Sequence, residues 1–207
     1  MYHFQYVTKK QAAPYREELI EIIKNVQNEV REQFLFQFTF IGSSSRNMIT
    51  FDPTTNTGFD FDVNLEVKEK NSPKETRTIL LKAFNHVIVH HGYNVCEDST
   101  RVLTIKTVDY WRSKTLYHCD FAIVYEGRTG QQYIRFNKKD QTYTWEFQTK
   151  PYERLEKRAD YLKDNGYWAE VRKIYLDKKN GNNNPDKRSR SLYAEAVNEC
   201  FQRRKYG

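Results

Sequence analysis

Asp60 and Asp62 stand one residue apart in Phe59-Asp-Phe-Asp-Val-Asn-Leu65. In an extended chain side chains alternate between faces. Phe59, Phe61, Val63 and Leu65 therefore point one way, and Asp60, Asp62 and Asn64 the other. The apolar face can enter a core, which leaves two carboxylates together on the opposite side. Like charges that close repel, and each raises the pKa of the other unless a cation is shared between them. Hard carboxylate oxygens suit Mg²⁺, so the pair reads first as a metal site. A third acid, Asp120, lies in Tyr117-His-Cys-Asp-Phe-Ala-Ile-Val124 with apolar residues at 119, 121 and 123. A lone acid in a buried-looking strand needs a partner, and convergence of all three acids on shared metal ions is the simplest single explanation. Two others stay open: Asp60 and Asp62 as the solvent face of an edge strand, and Asp120 as the partner of a buried Arg or Lys.

Several elements must position these acids. Leu19, Ile22, Ile23, Val26 and Val30 recur at helical spacing and predict a helix from Ala13 to about Gln33. Phe34, Phe36, Phe38 and Phe40 then alternate, predicting a strand that runs into Gly42-Ser43-Ser44-Ser45-Arg46. A polar loop, Asp52 to Gly58, leads to the aspartate strand at about Phe59 to Val67. Ser72 and Glu75 form a capping-box pattern with Pro73 at the first helical position, and Gly92 is a natural terminator. Strands follow near Val102–Thr107 and Leu116–Tyr125, then a hairpin of Gln132–Asn137 and Thr142–Thr149 around Lys138-Lys-Asp-Gln141. Helices are predicted at about Tyr152 to Asp164, Trp168 to Lys178 and Ser191 to Arg204, with a loop, Asn180 to Pro185, between the last two. This order predicts an α+β fold: a mixed β-sheet core with helices on one face over residues 1–150, and a short basic helical lobe over 151–207 packed on it.

Composition bounds the function classes. A chain of 207 residues suffices for one good core, and its 15 Tyr and 13 Phe argue against disorder. No apolar run approaches the roughly 20 residues that cross a bilayer, and the start has no basic-then-apolar signal pattern. A soluble, cytoplasmic protein without a membrane partner is therefore expected. Cys96, Cys119 and Cys200 are odd in number and widely spaced, which indicates neither a disulfide framework nor a zinc knuckle. The net charge of +7 is uneven: 15 Lys and Arg against 9 Asp and Glu from Lys150 onward, and 19 against 18 before it. A basic C-terminal third favours a phosphate-bearing partner, although a solvated helical surface accounts for it equally well.

A hydrophobic residue followed by Gly-Ser, then a strand bearing Asp-x-Asp, then a later strand with one more Asp, resembles the DNA polymerase β-like nucleotidyltransferase superfamily. Here those elements are Ile41-Gly42-Ser43, Asp60-Phe61-Asp62 and Asp120. The interval from Ser43 to Asp60 is longer than is usual there, and it holds an extended piece, Asn47 to Asp52. The resemblance implies a Mg²⁺- or Mn²⁺-dependent enzyme that transfers a nucleoside monophosphate from a nucleoside triphosphate to an acceptor hydroxyl and releases pyrophosphate. It also implies that Asp60, Asp62 and Asp120 hold metal, with Asp120 as proton acceptor, while Gly42, Ser43 and Ser44 cradle phosphates. Arg46 is a further candidate for the phosphate charge. The first helix and the Arg101-Val-Leu-Thr-Ile strand are similar to the branch that makes oligonucleotide or cyclic-dinucleotide messengers. A compact toxin or defence transferase accounts for the pattern equally well.

Two rival readings belong to other classes. Glu66-Val67-Lys68 with Asp52 upstream matches an Asp…Glu-x-Lys nuclease, but leaves Asp60, Asp62 and Asp120 unexplained. A nucleotidyltransferase core without turnover, binding nucleic acid or a partner, is the other. His90 and His91 read as residues at a helix end, facing its carbonyls and dipole. His118 and Cys119 are strand neighbours facing opposite ways, which discards a zinc pair. Tyr143, Trp145, Tyr167 and Trp168 are candidates to stack a nucleobase.

Overall fold

The computed structural model describes residues 2–55, 58–109, 111, 114–148, 153–184 and 186–206. The predicted strand end at Thr149, the helix start at Tyr152, the loop residue Pro185 and the 150/151 boundary lie outside these residues. The chain divides into two compact units. One comprises Tyr6–Phe51 and Asn56–Gln148, the other Met1–Gln5, Asp52–Thr55 and Thr149–Gly207.

The first unit is α+β. Its elements run from the end of β1 (Gln5–Tyr6) through α1 (Lys9–Val30), β2 (Phe36–Ile41), the one-turn α2 (Gly42–Ser45), β3 (Thr50–Phe51), β4 (Phe59–Val67) and α3 (Pro73–Ile88). A 3₁₀ turn follows at Val89–His91, then β5 (Glu97–Asp98), β6 (Val102–Asp109), β7 (Lys114–Gly127), β8 (Gly130–Asn137) and β9 (Thr142–Phe147). The main sheet is mixed, in the order β2-β4-β7-β6-β5, with β8 joining β7 to β9. In it β4 and β7 pair in parallel, while β2–β4, β5–β6, β6–β7, β7–β8 and β8–β9 are antiparallel.

Alternation sorts the strands into two faces. Phe61, Val63 and Leu65 of β4 and Tyr117, Cys119, Phe121 and Ile123 of β7 are buried, and they share a core with Leu19, Ile22, Ile23 and Val26 of α1 and Leu80, Phe84 and Ile88 of α3. Each such side chain contributes about 1.5–3 kcal/mol by leaving water, so the parity of β4 and β7 is strongly specified. Helices cover one face, and the other presents Asp60, Asp62, His118 and Asp120. At Gly58 a Cβ would lie 2.2 Å from the Leu116 carbonyl; only glycine lets β4 begin that close to β7.

Element ends depart from the sequence reading for local reasons. Helix α1 starts at Lys9 rather than Ala13 because Thr8 and Gln11 form a reciprocal capping box. Pro14 sits inside the helix on its exposed side, where water can serve the carbonyl it leaves unpaired. Ser72 accepts from the Glu75 amide at 3.4 Å at the head of α3, as its pattern predicts. Strand β7 is longer than Leu116–Tyr125, since the β6–β7 and β7–β8 hairpins extend it at both ends.

Among its described residues the second unit holds three helices, α4 (Glu153–Asp164), α5 (Trp168–Asn180) and α6 (Ser189–Tyr206). Ala159, Leu162, Val171, Ile174, Leu192, Ala196 and Val197 are buried in it. Asn180 clamps the Phe4 backbone, accepting from its amide at 2.6 Å and donating to its carbonyl at 3.1 Å. Among the described residues no helix is long and apolar enough to cross a membrane.

Candidate active site

Register builds the site. Asp62 of β4 pairs with Asp120 of β7, and Asp60 with His118. On the far side of β7, Thr104 of β6 pairs with Asp120; on the far side of β4, Ile41 of β2 pairs with Asp62. Thus Asp60, Asp62 and Asp120 sit on adjacent rungs of one face, and the chain leaving β2 turns at Gly42 directly beside them. Gly42 has φ +66, and a Cβ there would lie 2.3 Å from Oδ2 of Asp62. Glycine is required twice over, by conformation and by space.

The three carboxylates meet different surroundings. Asp60 is exposed and pairs with Nε2 of His118 at 3.2 Å. Asp120 accepts from the hydroxyl of Thr104 at 2.6 Å. Asp62 is half-buried between them, and its pKa is pushed up from 3.8 to about 6. Burial is the largest cause, followed by the charges of Asp120 and then Asp60; Arg46 and His118 pull the other way. The site therefore holds more negative charge than its own cations offset.

The one-turn helix α2 supplies donors. The Ser44 hydroxyl donates to the Ile41 carbonyl at 3.0 Å and the Ser45 hydroxyl to the Gly42 carbonyl at 3.0 Å. The Ser43 carbonyl accepts from the Met48 amide at 2.8 Å. First-turn amides of a helix have no intrahelical partner, so Gly42, Ser43 and Ser44 present backbone donors next to Asp62.

A divalent cation fits the chemistry of this donor set. All three acids offer hard oxygens, and Asp62 carries an unmet demand for positive charge. Among the described residues no three His, Cys, Asp or Glu side chains are already closed at metal-holding distance. Asp60 is turned to His118 and Asp120 to Thr104.

Thr104 and His118 were missed by the sequence reading. The strand parity that separates His118 from Cys119 also puts it on the face of Asp120, so this signal was present. Thr104 needs the β6–β7 register, which no local pattern specifies. The buried cation envisaged as a partner of Asp120 is Arg77 instead, 1% exposed; its Nε donates to Oδ1 of Asp98 at 2.6 Å. Tyr143 and Trp145 are also engaged elsewhere. The Tyr143 hydroxyl donates to Oδ2 of Asp98 at 3.0 Å, and Nε1 of Trp145 to the Asn71 carbonyl at 2.9 Å. Asp52 of the nuclease reading is buried, and its carboxylate accepts from the His3 and Thr54 amides at 2.8 and 2.9 Å. It is thereby committed to holding a turn.

No family model matches the sequence, and no curated protein matches it. Solved structures do share the fold. The Bradyrhizobium diazoefficiens CD-NTase CdnG in complex with GTP superimposes with a TM-score of 0.57 at 12% identity, covering 94% of this chain and 66% of that one. E. coli MS115-1 CdnC with ATP gives 0.52 at 14%, with 94% and 62% covered. The Vibrio cholerae DncV cyclic AMP-GMP synthase gives 0.58 at 15%, with 89% and 51% covered. At such identities the likeness is one of fold: the chain has the α+β nucleotidyltransferase fold of these proteins and spans half to two thirds of their length.

Proposed function

We propose that this chain is a nucleotidyltransferase that moves a nucleoside monophosphate from a nucleoside triphosphate to an acceptor hydroxyl. The observation that carries the reading is the meeting of Asp60, Asp62 and Asp120 on adjacent rungs beside the Gly42 turn, with Asp62 pushed up to about 6. Neighbours of the same fold that are described with GTP or ATP support it.

In this reading Asp60, Asp62 and Asp120 hold the divalent cations. When bound, these supply positive charge to the triphosphate and make the acceptor hydroxyl more acidic. The first amides of α2 and the Ser43 hydroxyl bind the outer phosphates, and Gly42 lets backbone approach them closely. Arg46 adds positive charge to the same locus. Asp120, oriented by the Thr104 hydroxyl, takes the proton as the acceptor oxygen bonds to the α-phosphorus. The bond between that phosphorus and the bridging oxygen breaks, and pyrophosphate leaves with the electron pair. Positioning and charge account for the rate, since phosphoryl transfer asks little covalent work of the protein.

The test is to incubate the protein with the four labelled triphosphates, Mg²⁺ or Mn²⁺ and candidate acceptors, and to weigh the products. Pyrophosphate release is expected, and its loss in Asp60→Ala, Asp62→Ala and Asp120→Ala with unchanged circular dichroism. Retention of more than about a tenth of the wild-type rate by Asp62→Ala would leave the cation role untenable, since tenfold is only ~1.4 kcal/mol of barrier.

A further inference from the structure

The helical unit carries a second constellation that nucleotidyl transfer does not use. Arg154, Lys157, Arg158 and Tyr161 fall at i, i+3, i+4 and i+7 of α4 and so share one face. Phe201 and Lys205, four apart on α6, form the opposite wall of an open-sided groove of about 530 Å³. Among the described residues that line it are four cations and one carboxylate, Glu153, which pairs with Lys157 at 2.6 Å. Nη1 of Arg158 donates to the Asn198 side-chain carbonyl at 2.5 Å, a neutral partner that does not itself offset the guanidinium charge.

The floor is aromatic. The guanidinium of Arg158 lies 4.9 Å and the ammonium of Lys205 5.2 Å from the Phe201 ring centre. Tyr161 meets Phe201 edge-on at 5.4 Å and is 38% exposed. A groove that attracted anions alone would need no exposed ring, and one for an apolar chain would not be rimmed by cations. Positive charges one helical turn apart, about 5.4 Å, beside an exposed ring match a backbone of phosphodiesters whose bases can stack on aromatic faces.

We propose that the α4–α6 groove binds single-stranded nucleic acid, with phosphates on Arg154, Lys157, Arg158 and Lys205 and a base against Tyr161. The open side favours a strand passing through over a free nucleotide, which would call for enclosure.

The full chain is titrated, without triphosphate or divalent cation, into labelled oligo-dT or oligo-U of about a dozen nucleotides. Fluorescence anisotropy is read from roughly 50 to 200 mM salt. Steep salt-dependent binding is expected. The double variant Arg154→Glu/Lys205→Glu, both surface positions, should bind at least about tenfold more weakly, with its salt slope smaller by ~1.4 for two lost phosphate contacts. Tyr161→Ala should lose roughly 5- to 150-fold with the slope unchanged. Preference for either oligomer supports the proposal and says whether RNA or DNA is the ligand. No binding at the lowest salt, a double variant that matches wild type, a Tyr161→Ala that does so, or ATP displacing the strand as well as unlabelled oligomer would each overturn it. Because no divalent cation is present, none of these outcomes depends on whether the sheet unit is an enzyme.

Discussion

Replacing Asp62 by Asn should stabilise the protein when divalent cations are absent. The folded chain holds the Asp62 proton up to about pH 6, against 3.8 ordinarily. At 1.36 kcal/mol per pH unit that difference amounts to ~3 kcal/mol; relaxation and water entry at a half-buried group bring it to about 1–3 kcal/mol. The sign follows from proton binding: the folded state binds the proton more tightly than the unfolded one. The contribution of protonated Asp62 is therefore whole below pH 3.8 and is lost as pH rises through about 6. Asn carries no charge and escapes that loss. Urea unfolding in EDTA should show no gap between variant and wild type near pH ~4, and a gap favouring Asp62→Asn that is complete by pH ~7. Mg²⁺ should then reverse the order, since a cation bound at a hundred times its Kd adds ~2.7 kcal/mol to wild type. A variant no more stable than wild type at pH ~8, or a gap that ignores pH, would refute the charge-crowding argument.

Three further substitutions probe the frame. Gly42→Ala places a methyl group 2.3 Å from Oδ2 of Asp62 at φ +66; thermal melts should show a loss of about 1–2 kcal/mol from the left-handed backbone alone, and pyrophosphate release should fall with it. Arg77→Ala strips the cation from Asp98 and from the Ser99 and Val102 carbonyls, so urea unfolding should show a loss of about 3–5 kcal/mol. Tyr143→Phe removes one hydrogen bond to Asp98 and should cost only about 1 kcal/mol.

How far the chain could be read in advance depends on how local each signal is. The face of Asp60 and Asp62 follows from alternation inside β4, and the head of α3 from Ser72, Pro73 and Glu75, all within a few residues. The start of α1 was equally local, but the Thr8–Gln11 box sits ahead of the first apolar repeat and Pro14 follows it, so periodicity alone began the helix late. Strand β5 is two residues long, too short for any period to register. Its importance is tertiary: Asp98 within it receives Arg77 from α3 and Tyr143 from β9. Nothing nearby in sequence announces that Arg77 of α3 meets Asp98.

The same distinction explains the carboxylates. That Asp120 needed a partner was legible from its apolar flanks, yet which partner was not, since Thr104, 16 residues earlier, reaches it across the β6–β7 ladder. A neutral hydroxyl can orient a carboxylate without neutralising it, and this is why Asp62 still feels the charge of Asp120. Had Arg77 filled that place, as a purely structural strand would favour, the repulsion on Asp62 would be relieved inside the fold and nothing would call for an external cation. With the buried Arg77 sent to Asp98 and a threonine to Asp120, the sheet leaves its carboxylates in want of positive charge.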